Sequence, residues 1–323
     1  ISIEKERSSY LLVEQNRSSI YNGHITNKDL LKDIDDWINN QKAFSPSALE
    51  DLMHNRYLFL LERILGIKSV ELVEDLPSRK LIGSIIHKIL NEIYLELKEE
   101  NNYINLPSAW ANNIDGRWVF SFDKKNKQSI KLLVLDINKS DEILNFTENK
   151  SKQILDKIIN SLSEYEKSLL VMNNIWLLER KKIISFVLNV IDQDIMNSCR
   201  KKYYPALFEF KFGPKTNINF SLVDIPMKGC VDRLDLCFDE DNNLSEIHVI
   251  DYKSKRQQSL NQNIERIKKA MDCQLIIYAF AAQQYLFGKI NSLDYNVKTK
   301  IGFIEYENIK SVSYTHLRAH ETL

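Results

Sequence analysis

The spacing of apolar residues changes near residue 200, and this change constrains the fold more than any other feature of the chain. Before it, apolar residues recur at three- and four-residue steps, which predicts helices over about 79–98 and 175–199. After it, three segments alternate apolar and polar residues as strands do: 206–212, 228–238 and 246–253. A further helical pattern and a final strand follow, at about 264–286 and 300–306. Helices, a three-stranded meander, a helix and a strand predict an α/β domain with one central mixed sheet flanked by helices.

The length of 323 residues allows one large domain or two modest ones. Residues 1–43 are polar with short apolar patches and are interpreted as the end of an upstream region. The main domain is predicted over 44–311, with a mostly helical, Asn- and Lys-rich insertion over about 99–198. The last residues, 312–323, resemble translated adapter sequence, so we expect a non-native tail there.

Ser45 followed by Pro46 is typical of a helix start, and Gly66 of a helix end, so one helix is expected up to about Leu65. Its apolar residues are the expected core contacts: Leu49, Leu52, Met53, Leu60 and Ile64.

Composition excludes several classes of protein. Lys plus Arg and Asp plus Glu number 44 each, so the formal net charge is zero. The net charge therefore gives no reason to expect a nucleic-acid partner, and such a partner would have to bind a local basic patch. No apolar run approaches the roughly 20 residues of a membrane span, and no signal peptide is visible. The four cysteines form no CxxC pair, which predicts free thiols in a reducing, cytoplasmic compartment.

Two strands carry acids among apolar residues. Asp251 and Lys253 are two apart, so their side chains share a face; alone, they fit a surface ion pair worth about 0–1 kcal/mol equally well. Asp232 lies near Asp251 if the two strands pair about a turn at 239–243. Two buried carboxylates at close range repel each other, and a hard divalent cation such as Mg²⁺ or Mn²⁺ removes that conflict.

Three further features are ambiguous on their own. Glu209 is either a third carboxylate of this site or an exposed edge position. His87, one turn after Gly83, is either a ligand or an ordinary helix histidine. Gln274 and Tyr278 share a helix face, which often reflects packing alone.

Cations follow Asp251 closely in the sequence. They suit a polyanionic substrate, although a solvated loop and helix start would look the same. They are Lys253, Lys255, Arg256, Arg266, Lys268 and Lys269. Arg233 and Asp235 are interpreted as structural residues.

In this order and spacing, the motifs resemble those of the PD-(D/E)XK nuclease superfamily, and more narrowly the RecB/AddB-type nuclease domain of bacterial helicase–nuclease complexes. The motifs span about residues 45–306. They are Gly83-x-x-x-His87, Glu209, Gly229-x-x-Asp232-Arg-x-Asp235, Asp251-Tyr-Lys253 and Gln274-x-x-x-Tyr278. The resemblance implies a restriction-endonuclease-like α/β core.

The resemblance also implies a role for each residue. His87, Asp232, Asp251 and the backbone carbonyl of Tyr252 would hold a divalent metal, Mg²⁺ or Mn²⁺, and Glu209 would complete its surroundings. Asp232, Asp251, Glu209 and Lys253 form the expected catalytic set, in which Lys253 orients or activates the attacking water. Gln274 and Tyr278 would contact DNA, and the following cations Lys255 and Arg256 are expected to bind substrate.

The implied function is a Mg²⁺-dependent DNA exonuclease acting in double-strand-break repair with a helicase partner. The alternatives are a standalone restriction-type endonuclease and a catalytically dead DNA-binding scaffold subunit on the same fold. Many AddB-type domains also carry an iron–sulfur cluster. Asn55 stands where the first cluster cysteine would be and no cysteine follows Cys273, so no such cluster is expected.

Overall fold

A computed structural model describes most of the chain, and the structural statements below concern these residues. Its longer described segments are 27–67, 79–99, 131–161, 174–216, 219–222, 224–240, 244–253, 273–287, 298–305 and 313–317. Shorter described pieces are residues 5 and 25 and the strands at 103–105, 113–114 and 117–118.

The first helices are short and separated by capping residues. They are α1 (Lys28–Asn40), α2 (Pro46–His54) and α3 (Arg56–Phe59), which continues into a π-helical turn at Leu60–Ile64. The hydroxyl of Ser45 accepts a hydrogen bond from the N–H of Ala48 and caps α2, as the sequence predicts.

The expected single helix up to Leu65 is wrong, because Asn55 interrupts it. Asn55 has an extended backbone (φ −154°, ψ 91°), and its side chain accepts a hydrogen bond from Leu58 N–H, which starts α3. Two expected core residues, Leu52 and Met53, are 37% and 49% exposed. The buried residues of these helices are Pro46, Ala48 and Phe59, and the expected core residue Leu49 packs against the core while partly buried.

Among the described residues, four longer helices flank the sheet. They are α4 (Arg79–Glu99), α5 (Ser140–Ser161) and α6 (Asn174–Lys201), followed further along the chain by α7 (Gln274–Phe287). The apolar residues of α4 at three- and four-residue steps, among them Ile86, Ile89 and Ile93, are buried as their spacing predicts.

The described strands fall into one large sheet and several small ones. The small sheets contain β1 (Tyr103–Asn105), β2 (Asn113–Ile114), β3 (Arg117–Trp118), β4 (Lys131–Leu133), β6 (Phe220–Leu222) and β7 (Ile225–Met227). The large sheet contains β5 (Tyr203–Phe212), β8 (Gly229–Phe238), β9 (Leu244–Lys253), β10 (Lys298–Glu305) and β11 (Ser313–Leu317).

The large sheet is mixed, in the order β11-β10-β9-β8-β5. Strands β5, β8 and β9 form the antiparallel meander, β10 runs parallel to β9, and β11 pairs antiparallel with β10. The parallel β9–β10 connection contains α7, as a crossover between parallel strands requires. The expected α/β fold with a central mixed sheet and flanking helices is confirmed.

Apolar cores cover both faces of the sheet. Helices α4, α5 and α6 pack together on one side against Ile250, Tyr252 and Ile304 of the sheet. Helix α7 packs on the other side against residues such as Leu234 and Val249. The sheet is therefore the middle of three layers, and a strand end can be reached by helices from both faces.

The domain limits of 44–311, the insertion at 99–198 and the origin of 312–323 remain predictions. Within 99–198 the structure has α5 and most of α6, together with the short strands β1 to β4. Residues Ser313–Leu317, inside the expected tail, pair with β10. No helix in the described part of the chain is long and apolar enough to cross a membrane.

Candidate metal and catalytic site

Irregular backbone in β5 aligns Glu209 with β8. Ala206 is an extra residue between the pairs Pro205–Asp235 and Leu207–Leu234, so every later residue of β5 is shifted by one position. Glu209 consequently lies opposite Asp232, between the pairs of its two neighbours. Its φ of 46° is in the left-handed region, a conformation that costs a non-glycine residue roughly 1–3 kcal/mol and persists where surrounding contacts enforce it.

The imidazole of His87 reaches the ends of two strands. Helix α4 buries Ile86, Ile89 and Leu90 against its neighbours, and His87, beside them, is only partly exposed. Its Nδ1 lies 3.4 Å from Asp232 Oδ1 and 4.0 Å from Glu209 Oε1. Its Nε2 lies 3.0 Å from the carbonyl oxygen of Tyr252.

These contacts change the protonation of His87. Burial by itself lowers the pKa of the ring, but the hydrogen bond and charge of Asp232, the Tyr252 carbonyl and the charge of Asp251 outweigh it and raise the pKa to about 9. At neutral pH, and with no metal bound, His87 is therefore a cation among carboxylates. The surroundings of His87 therefore stabilise positive charge at this position.

The β8–β9 hairpin brings the two aspartates together, as the sequence predicts. The pair Arg233–Ile250 sets the register, so the preceding residue, Asp232, lies beside Asp251. Oδ2 of Asp232 accepts a hydrogen bond of 2.8 Å from the N–H of Tyr252, which fixes its carboxylate at the end of β9.

Asp251 is the most buried acid of the site, at 3% exposure. Its Oδ2 lies 2.5 Å from Lys253 Nζ, and its Oδ1 accepts a hydrogen bond of 3.2 Å from Gln274 Nε2. Burial and the charge of Asp232 raise the pKa of Asp251, although Lys253 and His87 oppose the shift. The interpretation of a surface ion pair is therefore wrong for Asp251, whose carboxylate is buried.

Gln274 and Tyr278 close the site from the opposite face of the sheet. Nε2 of Gln274 also donates to the hydroxyl of Tyr278, at 3.2 Å, so the shared helix face carries a hydrogen bond as well as packing. Gly229 permits the close approach of Tyr278, since a Cβ there would lie 2.9 Å from the Tyr278 ring.

Two further residues, Glu50 and Cys230, contact the site and are not predicted from the sequence. Oε1 of Glu50 in α2 accepts hydrogen bonds from the N–H groups of Cys273 and Gln274, at 2.9 and 2.8 Å, and so holds the start of α7. The thiol of Cys230 donates to Glu209 Oε2 at 3.1 Å. Glu50 is more than 220 residues from its partners in sequence, and only the tertiary structure reveals this contact.

A buried ionic network supports the hairpin from behind. Arg233, 1% exposed, makes paired hydrogen bonds of 2.7–2.8 Å with Asp235 on its own strand. It also makes paired bonds of 2.7 Å with Asp194 of α6, and its Nη1 donates to the hydroxyl of Tyr94 in α4 at 2.6 Å. Arg233 and Asp235 are structural residues, as expected, and they tie two helices to β8.

The structure thus brings together most of the residues singled out from the sequence. The donor atoms of His87, Glu209 and Asp232 lie within 4.8 Å of one another. The remaining described candidates adjoin them: Asp251, Tyr252, Lys253, Gln274 and Tyr278. Lys255, Arg256 and the other cations of that segment, 255–269, lie outside the described residues.

The donor set suits a hard divalent cation. It offers carboxylate oxygens and a backbone carbonyl, the oxygen ligands that suit Mg²⁺ and Mn²⁺, together with one imidazole. The raised pKa values of His87 and Asp251 also indicate that the site favours positive charge, because a bound cation would replace the proton on each.

None of the curated proteins compared with the chain matches it. The family model of the PD-(D/E)XK nuclease superfamily matches residues 43–302, which is most of the chain and includes every residue of the site. The mixed sheet with helices on both faces agrees with the restriction-endonuclease-like fold of such nucleases. The chain therefore belongs to the PD-(D/E)XK nuclease superfamily.

Proposed function

We propose that this chain is a deoxyribonuclease that hydrolyses phosphodiester bonds with Mg²⁺ or Mn²⁺. The observation that carries the proposal is the convergence of His87 from α4 with Asp232 and Asp251 from the β8–β9 hairpin, beside the amine of Lys253. These side chains come from three segments of the chain and meet at one end of the sheet.

His87, Asp232, Asp251 and the Tyr252 carbonyl would hold the cation, and Glu209 would complete its surroundings. A divalent cation there lowers the pKa of a bound water and offsets the charge that develops on the phosphate. The carboxylate of Asp251 would then contact both the cation and Lys253 Nζ, and Gln274 would keep this carboxylate in place through Oδ1.

Lys253 is placed to act on the attacking water or on the phosphate. Its side chain is about three-tenths exposed, so it can contact both Asp251 and a substrate that enters the site from solvent. In this proposal Lys253 orients the water and stabilises the negative charge of the transition state.

We further propose an exonuclease that acts with a helicase partner in double-strand-break repair in the cytoplasm. The support is the RecB/AddB-like order of the motifs, and the polar residues 1–43, which resemble the end of an upstream region. Lys255 and Arg256, directly after the site, and the Gln274–Tyr278 pair would contact the DNA backbone.

The test is DNA degradation in Mg²⁺ by the full chain and two pairs of variants. Asp251→Asn and Lys253→Ala remove proposed catalytic groups, whereas Asp141→Asn and Lys181→Ala make the same changes at exposed positions on α5 and α6. We expect the first pair to lose activity by at least about 100-fold and the second pair to keep it.

Substrate form then separates the alternatives. An exonuclease degrades linear DNA from its ends and spares covalently closed circles, whereas an endonuclease cuts both. A wild-type chain that neither binds Mn²⁺ nor cleaves any DNA would instead be a scaffold subunit. Undiminished cleavage by Asp251→Asn would contradict the catalytic assignment.

A further inference from the structure

A second group of metal-binding side chains lies at the other end of the β8–β9 hairpin. In the sheet register Cys237 is opposite Glu246, and His248 is two residues further along β9 on the same face. Five residues of extended strand, about 16 Å, separate Glu246 from Asp251. The group of Cys237, Glu246 and His248 is therefore distinct from the candidate nuclease site.

The distances between the donor atoms fit a shared ion. Cys237 Sγ lies 3.6 Å from His248 Nε2, and all three donor atoms are within 4.8 Å of one another. Zn–S and Zn–N bonds of about 2.3 and 2.0 Å in a tetrahedral site place S and N about 3.5 Å apart. The separation of His248 Nε2 and Glu246 Oε2, 2.8 Å, is that of a hydrogen bond and would lengthen slightly around an ion.

The surroundings hold the ligands in place. Cys237 and His248 are 7% and 5% exposed, and the ring of Tyr203 packs against the imidazole with 4.8 Å between ring centroids. Side chains already fixed by packing lose little entropy when they bind an ion.

Charged side chains of both signs surround the group, and Lys300 competes with an ion for Glu246. Arg233 is the single cation between the carboxylates of Asp194 and Asp235, so this ionic network carries one more negative than positive charge. Next to it, Lys300 Nζ lies 2.6 Å from Glu246 Oε2. The ammonium of Lys300 thus already places positive charge beside one of the three donors.

We propose that Cys237, Glu246 and His248 form a second metal site that takes Zn²⁺ or a similar transition-metal dication. A thiolate and an imidazole select such ions over Mg²⁺, in contrast to the oxygen-rich nuclease site. Binding deprotonates the Cys237 thiol and releases that proton to solvent, while Glu246 exchanges the Lys300 ammonium for the ion. Three protein donors leave a fourth tetrahedral position for water.

The first test is Co²⁺ binding, followed by absorption spectroscopy, to the full chain in the presence of excess Mg²⁺. We expect a thiolate-to-cobalt charge-transfer band and the visible bands of tetrahedral Co²⁺, and Zn²⁺ should remove both. Cys237→Ser and His248→Gln should abolish the charge-transfer band and the tetrahedral bands, respectively. Cys199→Ser, at an exposed cysteine, should keep both.

Cys230→Ser separates this site from the nuclease site, because Cys230 lies beside Glu209. We expect its spectrum to match the wild type. A charge-transfer band that disappears in Cys230→Ser, persists in Cys237→Ser, or is absent from the wild type would overturn the proposal. None of these outcomes depends on nuclease activity.

Lys300→Ala provides a test that keeps every proposed ligand. Without the competing ammonium, the Zn²⁺ affinity measured against a chelating dye should rise severalfold. Zn²⁺ should also raise the melting temperature of the wild type and of Lys300→Ala. An unchanged or lower Zn²⁺ affinity in Lys300→Ala would mean that Glu246 binds Lys300 and not the metal ion, and would overturn the proposal. This test remains valid even if Cys237→Ser fails to fold.

Discussion

His87 holds a proton that a bound metal ion would have to displace. With a pKa of about 9, the ring is protonated at neutral pH, and Asp251, whose pKa is also raised, competes in the same way. We therefore predict that the affinity for Mn²⁺ rises with pH, by up to about tenfold per unit below pH 9. Calorimetric titrations of Mn²⁺ at pH 6.5 and 8.5 measure this, in buffers of matched ionic strength.

The matched control is His87→Gln, which keeps a polar side chain but does not titrate. Its Mn²⁺ affinity should be weaker at pH 8.5 and should depend less on pH than that of the wild type. Equal affinities of the wild type at the two pH values would contradict a role for His87 as a ligand.

The same residue predicts how stability without metal depends on pH. Because the folded state raises the pKa of His87 from 6.5 to about 9, its contribution is fully present below pH 6.5 and is lost as the pH rises through 9. Asp251, an acid whose pKa is raised, also stabilises the folded state less as the pH rises. In chelator, we expect His87 alone to lower the free energy of unfolding by about 2–3 kcal/mol between pH 6 and 9, and Asp251 to add to this decline.

Denaturant unfolding of the chelated protein across this range checks the sign. His87→Gln should show a shallower decline, since only Asp251 then contributes. A stability that increases steadily from pH 6 to 9 in the chelated wild type would show that the raised pKa of His87 is wrong.

Among the elements, the β8–β9 hairpin depends on the buried ionic network of Arg233. This side chain joins β8 to α4 and α6, and its removal leaves Asp194 and Asp235 buried without their cation. We predict that Arg233→Met lowers the free energy of unfolding by about 3–5 kcal/mol. Lys152→Met, which removes an exposed ion pair with Glu148, should cost less than about 1 kcal/mol.

Chemical denaturation of both variants measures the difference. A cost for Arg233→Met no greater than that for Lys152→Met would mean that the network adds no stability to the hairpin. Since Asp232 is next to Arg233 in β8, we also expect Arg233→Met to weaken Mn²⁺ binding.

For the whole molecule, the periodicity of apolar residues predicts the layered architecture but not the local irregularities of the backbone. The alternating segments predict the meander, and the turn at 239–243 predicts that Asp232 and Asp251 are neighbours, as they are. The bulge at Ala206 and the left-handed backbone of Glu209 have no periodic signal, because they result from pairing with β8. Apolar periodicity predicts one helix across Asn55, because it does not detect the capping role of that side chain.

The site forms where helices from opposite faces reach the same strand ends. His87 is on α4, which belongs to one core, and Gln274 is on α7, which belongs to the other. His87 contacts Tyr252 and Gln274 contacts Asp251, so these two distant residues come to adjacent positions of β9 only in the complete sheet. Sequence motifs identify these residues as candidates, but only the three-layer fold brings them to the same site.

We propose that His87, Asp232 and Asp251 bind one divalent cation together. Crystals of the full chain grown with Mn²⁺ test it most directly, through the anomalous scattering of the ion. We predict an anomalous peak about 2.0–2.3 Å from a ring nitrogen of His87 and from a carboxylate oxygen of each aspartate. Mn²⁺ bound elsewhere, with the imidazole of His87 still hydrogen-bonded to Asp232 and no ion between them, would contradict the account.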